Sequence, residues 1–582
     1  MILKYVNKKE WFIAALCVIA VIFNVYLELK IPDYMTQITT VISTGGEVHE
    51  VIREGIEMLF CAFGSLIATV ICAVMASYVA TSLSKRLREL EFDRVQSFSM
   101  EEMDRFSISS LVTRSTNDIT QIQMTMAMGL QVMIKAPIMA IWAISKIYTK
   151  NIEWTAATAI AVIVLLALIG CVMFYVIPKF KRIQWLTDNV NRVTRENITG
   201  IRVIRAYNAE DYQDARFESA NKDLTDTNLS AQRAMAFMMP GMSTILNGLS
   251  LSIYWIGALL IAGTASMTDQ FVLFADMVVF SSYAMQVIMS FIMLVVIFMI
   301  LPRASVAAKR VQEVIDTEPS VTDGPVRDNV TETGTIAFRN VSFRYPGASN
   351  DVISGIDFEV SKGETLAIIG STGSGKSSLV NLIPRLYDAT DGTVEIDGID
   401  VREYDLETLR DRIGYVSQKA FMFTGTIESN VNYGNGSEER TMEDVERAVK
   451  IAQAKEFVDN LEDTYQSEVS QGGTNLSGGQ KQRLSIARAI CKSPEIYIFD
   501  DTFSALDYRT DSILRAELKR QIKGATSVIV AQRVGTIMDA DRIIVLDDGR
   551  IAGMGRHEEL LRSCPVYLDI VRSQMSDEEA GL

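Results

Sequence analysis

Histidine is almost missing from this sequence. Only His49 and His557 occur among 582 residues, and they stand too far apart to suggest a histidine-built metal centre. Cysteine is sparse as well. Cys17, Cys61, Cys72, Cys171, Cys491 and Cys564 form no C-x-x-C pair, and the first four lie in apolar runs. Neither a disulfide framework nor a zinc site is indicated. A basic excess is also lacking: 56 Lys and Arg face 71 Asp and Glu, a net charge of −15. That argues against a general nucleic-acid binder, which needs a basic face. Finally, Lys4, Lys8 and Lys9 precede the first apolar run, but no small-residue cleavage site follows it. The first ten residues therefore read as an interfacial lead-in, not a signal peptide.

What is present divides unevenly. Apolar residues make up 48% of the chain and charged residues 22%, so the chain is not disordered as a whole. At ~100–200 residues per domain the length calls for two or more units. Residues 1–320 carry 27 basic and 28 acidic side chains, whereas residues 321–582 carry 29 and 43. The first part is apolar and balanced; the second is acidic and of soluble character.

Six apolar stretches mark the first part, at about 11–29, 57–80, 128–148, 154–178, 236–263 and 271–301. Each is long enough for the ~20 residues of a bilayer-spanning helix. Together they exclude a soluble fold. Charge orients them. Segment 81–127 holds six basic residues and segment 179–235 holds ten, while 31–56 is mainly acidic. The positive-inside rule places both basic segments and both ends of the bundle in the cytoplasm. These segments lack linker composition and keep a mixed apolar and charged pattern, as expected of helices that run on out of the membrane. Turns near 100–108 and 208–217 are candidate contacts with a soluble domain.

Some polar positions lie in or beside the spans. Lys135 reads as a lysine snorkelling to the inner leaflet. Glu28 and Asp276 read as residues at the outer interface, with a role in closing an external gate or attracting cations as the alternative. Met285, Met289 and Met293 recur at i, i+4, i+8 and share a helix face. That face is either ordinary helix packing or a deformable cavity lining. None of these positions is assigned to substrate.

The domain limits follow: 1–310 for the membrane domain, 311–335 for a linker marked by Pro319 and Pro325, 336–575 for an α/β domain, and 576–582 for an acidic tail. The α/β domain carries G-x-x-x-x-G-K-S as Gly370, Ser371, Thr372, Gly373, Ser374, Gly375, Lys376 and Ser377. A strand-like run from Thr365 precedes it and a helix-like run from Ser378 follows, the context that a phosphate-binding loop needs. The glycines let backbone N–H groups face phosphates. Lys376 reaches the β- and γ-phosphates, and Ser377 suits Mg2+. The apolar strand ending at Phe499 delivers Asp500 as the second Mg2+ contact. Leu476, Ser477, Gly478, Gly479 and Gln480 open a predicted helix and form a further anion site by helix-dipole logic.

In this order the motifs resemble those of an ATP-binding cassette (ABC) transporter half of the exporter type, over nearly the whole chain. The resemblance implies a six-helix transmembrane α-bundle with long cytoplasmic extensions, fused to an α/β P-loop nucleotide-binding domain. It implies ATP with Mg2+, a plasma-membrane location in a bacterium, and a cytoplasmic nucleotide-binding domain. ATP contacts are then Tyr345, which stacks on adenine, the loop from Gly370 through Ser378, and Gln418. Ser377, Gln418 and Asp500 would hold Mg2+. Leu476–Gln480 would be the signature segment that serves the partner's ATP, and Asp507 would belong to the loop that meets the partner.

Two positions depart from that family. Asp501 stands where a Glu usually positions the attacking water, and, one methylene shorter, its carboxylate would fall short by more than ~1 Å. Gln532 stands where a His usually meets the γ-phosphate; it donates a hydrogen bond but carries no charge. Both catalytic positions are thus altered beside an intact signature segment. This pattern resembles one subunit of a heterodimeric bacterial multidrug-type ABC exporter with a degenerate site. It implies an ABC-type ATPase whose turnover falls mainly at the site built with the partner's Walker motifs. Expected partners are a second, different half-transporter, the lipid bilayer and an amphipathic small molecule, and no nucleic acid. Alternatives are a lipid or peptide exporter, a siderophore-type importer, and an ATP-gated channel or regulatory subunit. No Cys/His peptidase segment precedes the first span, so leader-peptide processing is not expected. The six spans exclude a soluble ABC ATPase. The sequence does not name the substrate or the partner.

Overall fold

A computed structural model describes residues 2–575 apart from 44, 149, 328–332, 435–438 and 523. The expected acidic tail at 576–582 lies outside the described residues. The chain folds as two compact units: Met1–Asp93 with Ser109–Asp316, and Arg94–Ile108 with Thr317–Leu582.

The first unit is helical. Its long helices are α1 (Lys8–Ser43), α2 (Val48–Ser97, whose last turn belongs to the second unit), α4 (Ile108–Tyr148), α5 (Ile152–Thr199), α6 (Glu210–Ala262) and α7 (Met267–Asp316). Between α2 and α4 lies a short helix, α3 (Met100–Phe106). The six long helices are apolar enough to cross a membrane. They are also much longer than the apolar runs. At 1.5 Å per residue, the 48 residues of α5 reach ~72 Å, against a hydrocarbon core of ~30 Å. The apolar run measures contact with lipid, whereas the helix continues wherever its polar residues stay satisfied. Thr36 and Thr40 beyond the first run, for instance, donate to the carbonyls of Pro32 and Thr36. Likewise α7 runs to Asp316, into the expected linker, because Val311, Val314 and Ile315 are buried at helical spacing. Within α4, π-helical turns occur at Arg114–Asp118 and Gly129–Met133.

The bundle core joins α1, α2, α4, α5, α6 and α7 around Val25, Trp154, Phe280 and Val287. The rings of Trp154 and Phe280 lie 5.3 Å apart. Two cysteines that spacing alone does not relate, Cys17 and Cys72, are buried free thiols with sulfurs 3.2 Å apart. Lys135 does not snorkel. Its ammonium lies 2.7 Å from Glu28 Oε1, about 20 Å along α4 from the outer end at Tyr148. Asp276 and Glu28 do not face solvent as single charges either, since Asp276 is paired with Lys150. An intramembrane charge that finds an opposite partner on a neighbouring helix is cheaper there than at the end of a stretched side chain. Of the methionine face, Met289 and Met293 are exposed and Met285 is half-buried.

The second unit is a two-sheet α/β domain. An antiparallel sheet has the order β2 (Ile353–Val360), β1 (Ile336–Phe343), β4 (Asp391–Ile396), β5 (Ile399–Asp400). The other runs β12 (Arg550–Gly555), β11 (Arg542–Asp547), β3 (Thr365–Gly370), β10 (Thr526–Val530), β9 (Ile496–Asp500), β6 (Ile413–Val416). Its strands are parallel except for the β11–β12 hairpin. A two-stranded patch pairs β7 (Gly425–Thr426) with β8 (Glu468–Val469). The parallel strands are continuous apolar runs, as strands covered on both faces must be: every residue of β9 is buried. Their C-terminal ends deliver Gly370, Asp500 and the residues after Val530 to one edge of the sheet, where α/β folds bind ligands.

α3 folds with this unit. Ser99 and Glu102 cap it reciprocally. Glu102 Oε1 accepts from the Ser320 N–H at 3.0 Å, and the Tyr387 hydroxyl donates to Asp104 at 2.9 Å. The expected contact turn near 100–108 is therefore packed on the α/β unit. The other, near 208–217, opens α6 with Tyr207 and Tyr212 exposed.

Candidate functional site

The phosphate-type loop lies between β3 and α8 (Lys376–Asn381). Gly373 and Gly375 have φ of +86° and +93°, in the region that glycine alone enters without strain. A Cβ on Gly370 would sit 2.2 Å from the Leu546 carbonyl oxygen, so that glycine allows the strand to pack before the turn. Lys376 folds over the loop, donating to the Gly370 and Ser371 carbonyls at 2.9 and 2.7 Å. Burial pulls its ammonium below the usual lysine value, against the opposing pull of Asp501 and Asp500.

Beside it, Ser377 Oγ donates to Asp500 Oδ1 at 3.0 Å. Burial pushes the Asp500 carboxyl above the usual aspartate value, countered by the bond from Ser377 and reinforced by Asp501. A hydroxyl and a carboxylate in contact, beside a lysine, are hard oxygen donors. Mg2+ keeps several waters and takes few protein ligands, so this pair fits the ion. When bound, Mg2+ supplies bridging and charge neutralisation at the β- and γ-phosphates.

Gln418 lies beside the neighbouring carboxylate, Asp501. Its Nε2 donates to Asp501 Oδ2 at 3.1 Å, and Gln532 Nε2 donates to the same oxygen at 2.7 Å. Asp501 is buried, with φ of +46°. The two amides, from the ends of β6 and β10, thus clasp a carboxylate that sits one residue past β9. Spacing does not disclose this convergence, because the three residues come from separate strands that only the sheet order brings together.

Tyr345 is half-buried. Its hydroxyl lies 2.9 Å from Ser378 Oγ, and its ring stands edge-on to Phe343 and Tyr387. Tyr387 in turn holds Asp104 of α3, so a chain of contacts runs from α3 to the helix behind the loop. The sequence reading missed Tyr387. No signal would have found it, since 283 residues separate it from Asp104.

Leu476–Gln480 lies on a different core. Leu476 packs against the cluster that contains Leu484, Ile486 and Val449, not the cluster under the loop. Ser477 caps α9 (Gly478–Lys492): its Oγ accepts from Gln480 N at 3.3 Å and its N–H donates to Gln480 Oε1 at 2.8 Å. Ser477 and Gly478 are exposed, so the start of this 15-residue helix is presented outward. Asp507 caps α10 (Tyr508–Gln521) by accepting from Thr510 N at 3.0 Å, and the bonds from Thr510 hold its carboxyl below the usual value. The structure thus gathers Gly370–Ser378, Tyr345, Gln418, Asp500, Asp501 and Gln532 around one sheet edge. It places Leu476–Gln480 on a separate core.

Comparison with known proteins gives these features a context. Residues 13–291 match the ABC transporter transmembrane region, and residues 353–504 match the ABC transporter domain. An uncharacterized ABC transporter ATP-binding protein of Mycobacterium tuberculosis is 38% identical over 543 residues, 92% of this chain and 91% of that protein. An ATP-dependent lipid A-core flippase of Pseudomonas fluorescens is 32% identical over 84% of this chain and 80% of its own. A solved bacterial Atm1-family ABC exporter with ATP bound superposes with a TM-score of 0.79 at 24% identity, covering 98% of this chain and 99% of that one, a likeness of fold.

Proposed function

The chain belongs to the ABC transporter family, as a multi-pass membrane protein with a cytoplasmic domain for ATP and Mg2+, and from that premise we propose that it exports an amphipathic small molecule as one half of a heterodimer. The observation that carries the heterodimer is the clasp on Asp501. In a competent site a carboxylate must reach a water in line with the γ-phosphate. Here the shorter acid is engaged by Gln418 and Gln532, two neutral amides bound to one of its oxygens. Such a site holds nucleotide through the loop, Tyr345 and Ser377, and turns it over slowly. The exposed start of α9, capped by Ser477, completes the ATP site of a second chain that supplies its own Glu and His.

Each half then contributes one good component. Nucleotide at this chain's loop acts as a long-lived clamp, and hydrolysis beside the partner's Walker motifs resets the pump. The contacts of α3 through Glu102, Asp104, Ser320 and Tyr387 pass domain closure to α2 and α4, the helices that flank it.

For the substrate, a second reading is lipid export, favoured by the 32% identity to a lipid A-core flippase. The exposed Met289 and Met293 suit either kind of apolar ligand.

ATP hydrolysis tests the pairing. The chain is purified alone in lipid, and beside the same chain co-expressed with its genomic neighbour. Weak turnover alone with strong turnover together is expected. Robust turnover alone would sink the heterodimer and leave a homodimeric pump. Stimulation of the active complex by drugs or by lipid then separates the two substrate readings.

A further inference from the structure

α1 is held to its neighbours in two chemically different ways. Toward the middle of α2 the contacts are neutral and closed. Asn24, 3% exposed, donates to the Ser65 carbonyl at 2.9 Å, to Ser65 Oγ at 3.0 Å and to Thr69 Oγ1 at 2.9 Å. Cys17 and Cys72 also meet between these two helices. Toward α4 and α7 the contacts are ionic and partly open. Glu28 pairs with Lys135 at 2.7 Å, and Asp33 pairs with Lys146 at 2.8 Å. Tyr283 of α7 donates to Asp33 Oδ1 at 2.5 Å and to the Leu29 carbonyl at 3.0 Å. A further pair, Lys150 with Asp276, ties the turn after α4 to α7. The side chains of the two seam pairs are between 22% and 37% exposed, so the surrounding medium reaches them.

The ionic contacts lie in the half of the bundle nearer Ser43, Tyr148 and Met267. These are the outer helix ends of a bundle whose two termini are cytoplasmic. Lys135 is thirteen residues from Tyr148, the last residue of α4, so the ladder reaches about 20 Å in from the outer end of that helix. Around it the seam is apolar, with Val25, Leu29, Val279, Phe280 and Val287.

The two kinds of contact respond oppositely to water. The Asn24 network is sealed and uncharged. An ion pair loses attraction in proportion as the local dielectric rises, and each freed ion gains a hydration shell. While the seam is dry, parting the pairs strands charges in hydrocarbon. Once it floods, parting costs little. We propose that Glu28–Lys135 and Asp33–Lys146, completed by Tyr283, form a hydration-operated latch. It clamps α1 to α4 and α7 while the outer seam is dry and releases when water enters, with α1 and α2 moving together. The Lys150–Asp276 pair keeps α4 and α7 together on the other side of the seam.

The test uses the full chain in lipid vesicles, with its partner where one is needed. Asp33→Cys with Lys146→Cys places two thiols across the seam and leaves Glu28–Lys135 in place. Asn24→Cys with Thr69→Cys places two between α1 and α2. A short bifunctional thiol crosslinker is applied with and without a slowly hydrolysed ATP analogue. The seam product is expected to fall about fivefold with nucleotide while the α1–α2 product is unchanged, a shift set by populations and not by turnover. A seam product indifferent to nucleotide overturns the latch. Glu28→Lys and Lys135→Glu alone are expected to abolish this response, and the double exchange to restore it. A double exchange that elutes as folded protein yet fails to respond also overturns it. Because the readout needs nucleotide binding alone, it is independent of which chain hydrolyses ATP.

Discussion

Restoring Asp501→Glu and Gln532→His is the most direct challenge to the clasped-carboxylate reading. Oδ2 of Asp501 accepts two amide bonds, at 2.7 and 3.1 Å. A hydrogen bond to a charged group contributes about 1.5–3 kcal/mol. Gln532→His replaces one of these donors with a ring that can carry charge, and Asp501→Glu moves the carboxylate outward by roughly 1 Å. A displacement of that order is worth ~10²-fold in rate, or about 2.7 kcal/mol of barrier. There is an opposing cost. Asp501 sits at φ of +46°, which Asp tolerates better than Glu, so about 1 kcal/mol of stability is lost. The net expectation is a ten- to hundredfold gain in hydrolysis at this chain's own site. The assay is single-turnover ATP hydrolysis by the assembled transporter in lipid, with the partner's site disabled. An unchanged rate, from protein whose nucleotide affinity is intact, would refute the idea that carboxylate position limits the site.

Two further outcomes concern α3. Tyr387→Phe removes the bond to Asp104, and it is expected to cost about 1.5–3 kcal/mol of docking between α3 and the α/β domain. Hydrogen exchange at residues 100–106 should then rise while exchange in β9 stays protected. Glu102 gives a pH dependence. Burial alone pushes its carboxyl up, but the hydrogen bonds from Ser99 and Ser320 outweigh that and hold it below the usual glutamate value. A depressed acid stabilises the folded state fully above the unfolded value of about 4.3, and that stability is lost as pH falls through the folded value. Exchange at α3 should therefore rise below about pH 4 in the wild type, and the dependence should vanish in Glu102→Gln.

The sequence by itself determined the architecture. Runs of twenty or more apolar residues have no stable place in water, so six of them between basic segments fix a membrane bundle and its orientation. The loop from Gly370 to Ser377 was equally legible, because close approach of backbone to phosphate demands glycine at fixed spacing. The substitutions at Asp501 and Gln532 could be seen as letters. Only the tertiary structure decided where they meet, because the order of β6, β9 and β10 brings Gln418 and Gln532 onto one oxygen of Asp501. The same holds for Lys135. Hydropathy sees one lysine in an apolar run, and its meaning depends on Glu28, 107 residues earlier on another helix. Local pattern records how each residue meets solvent or lipid. Partners across helices and strands are set by packing, which no short stretch of sequence contains.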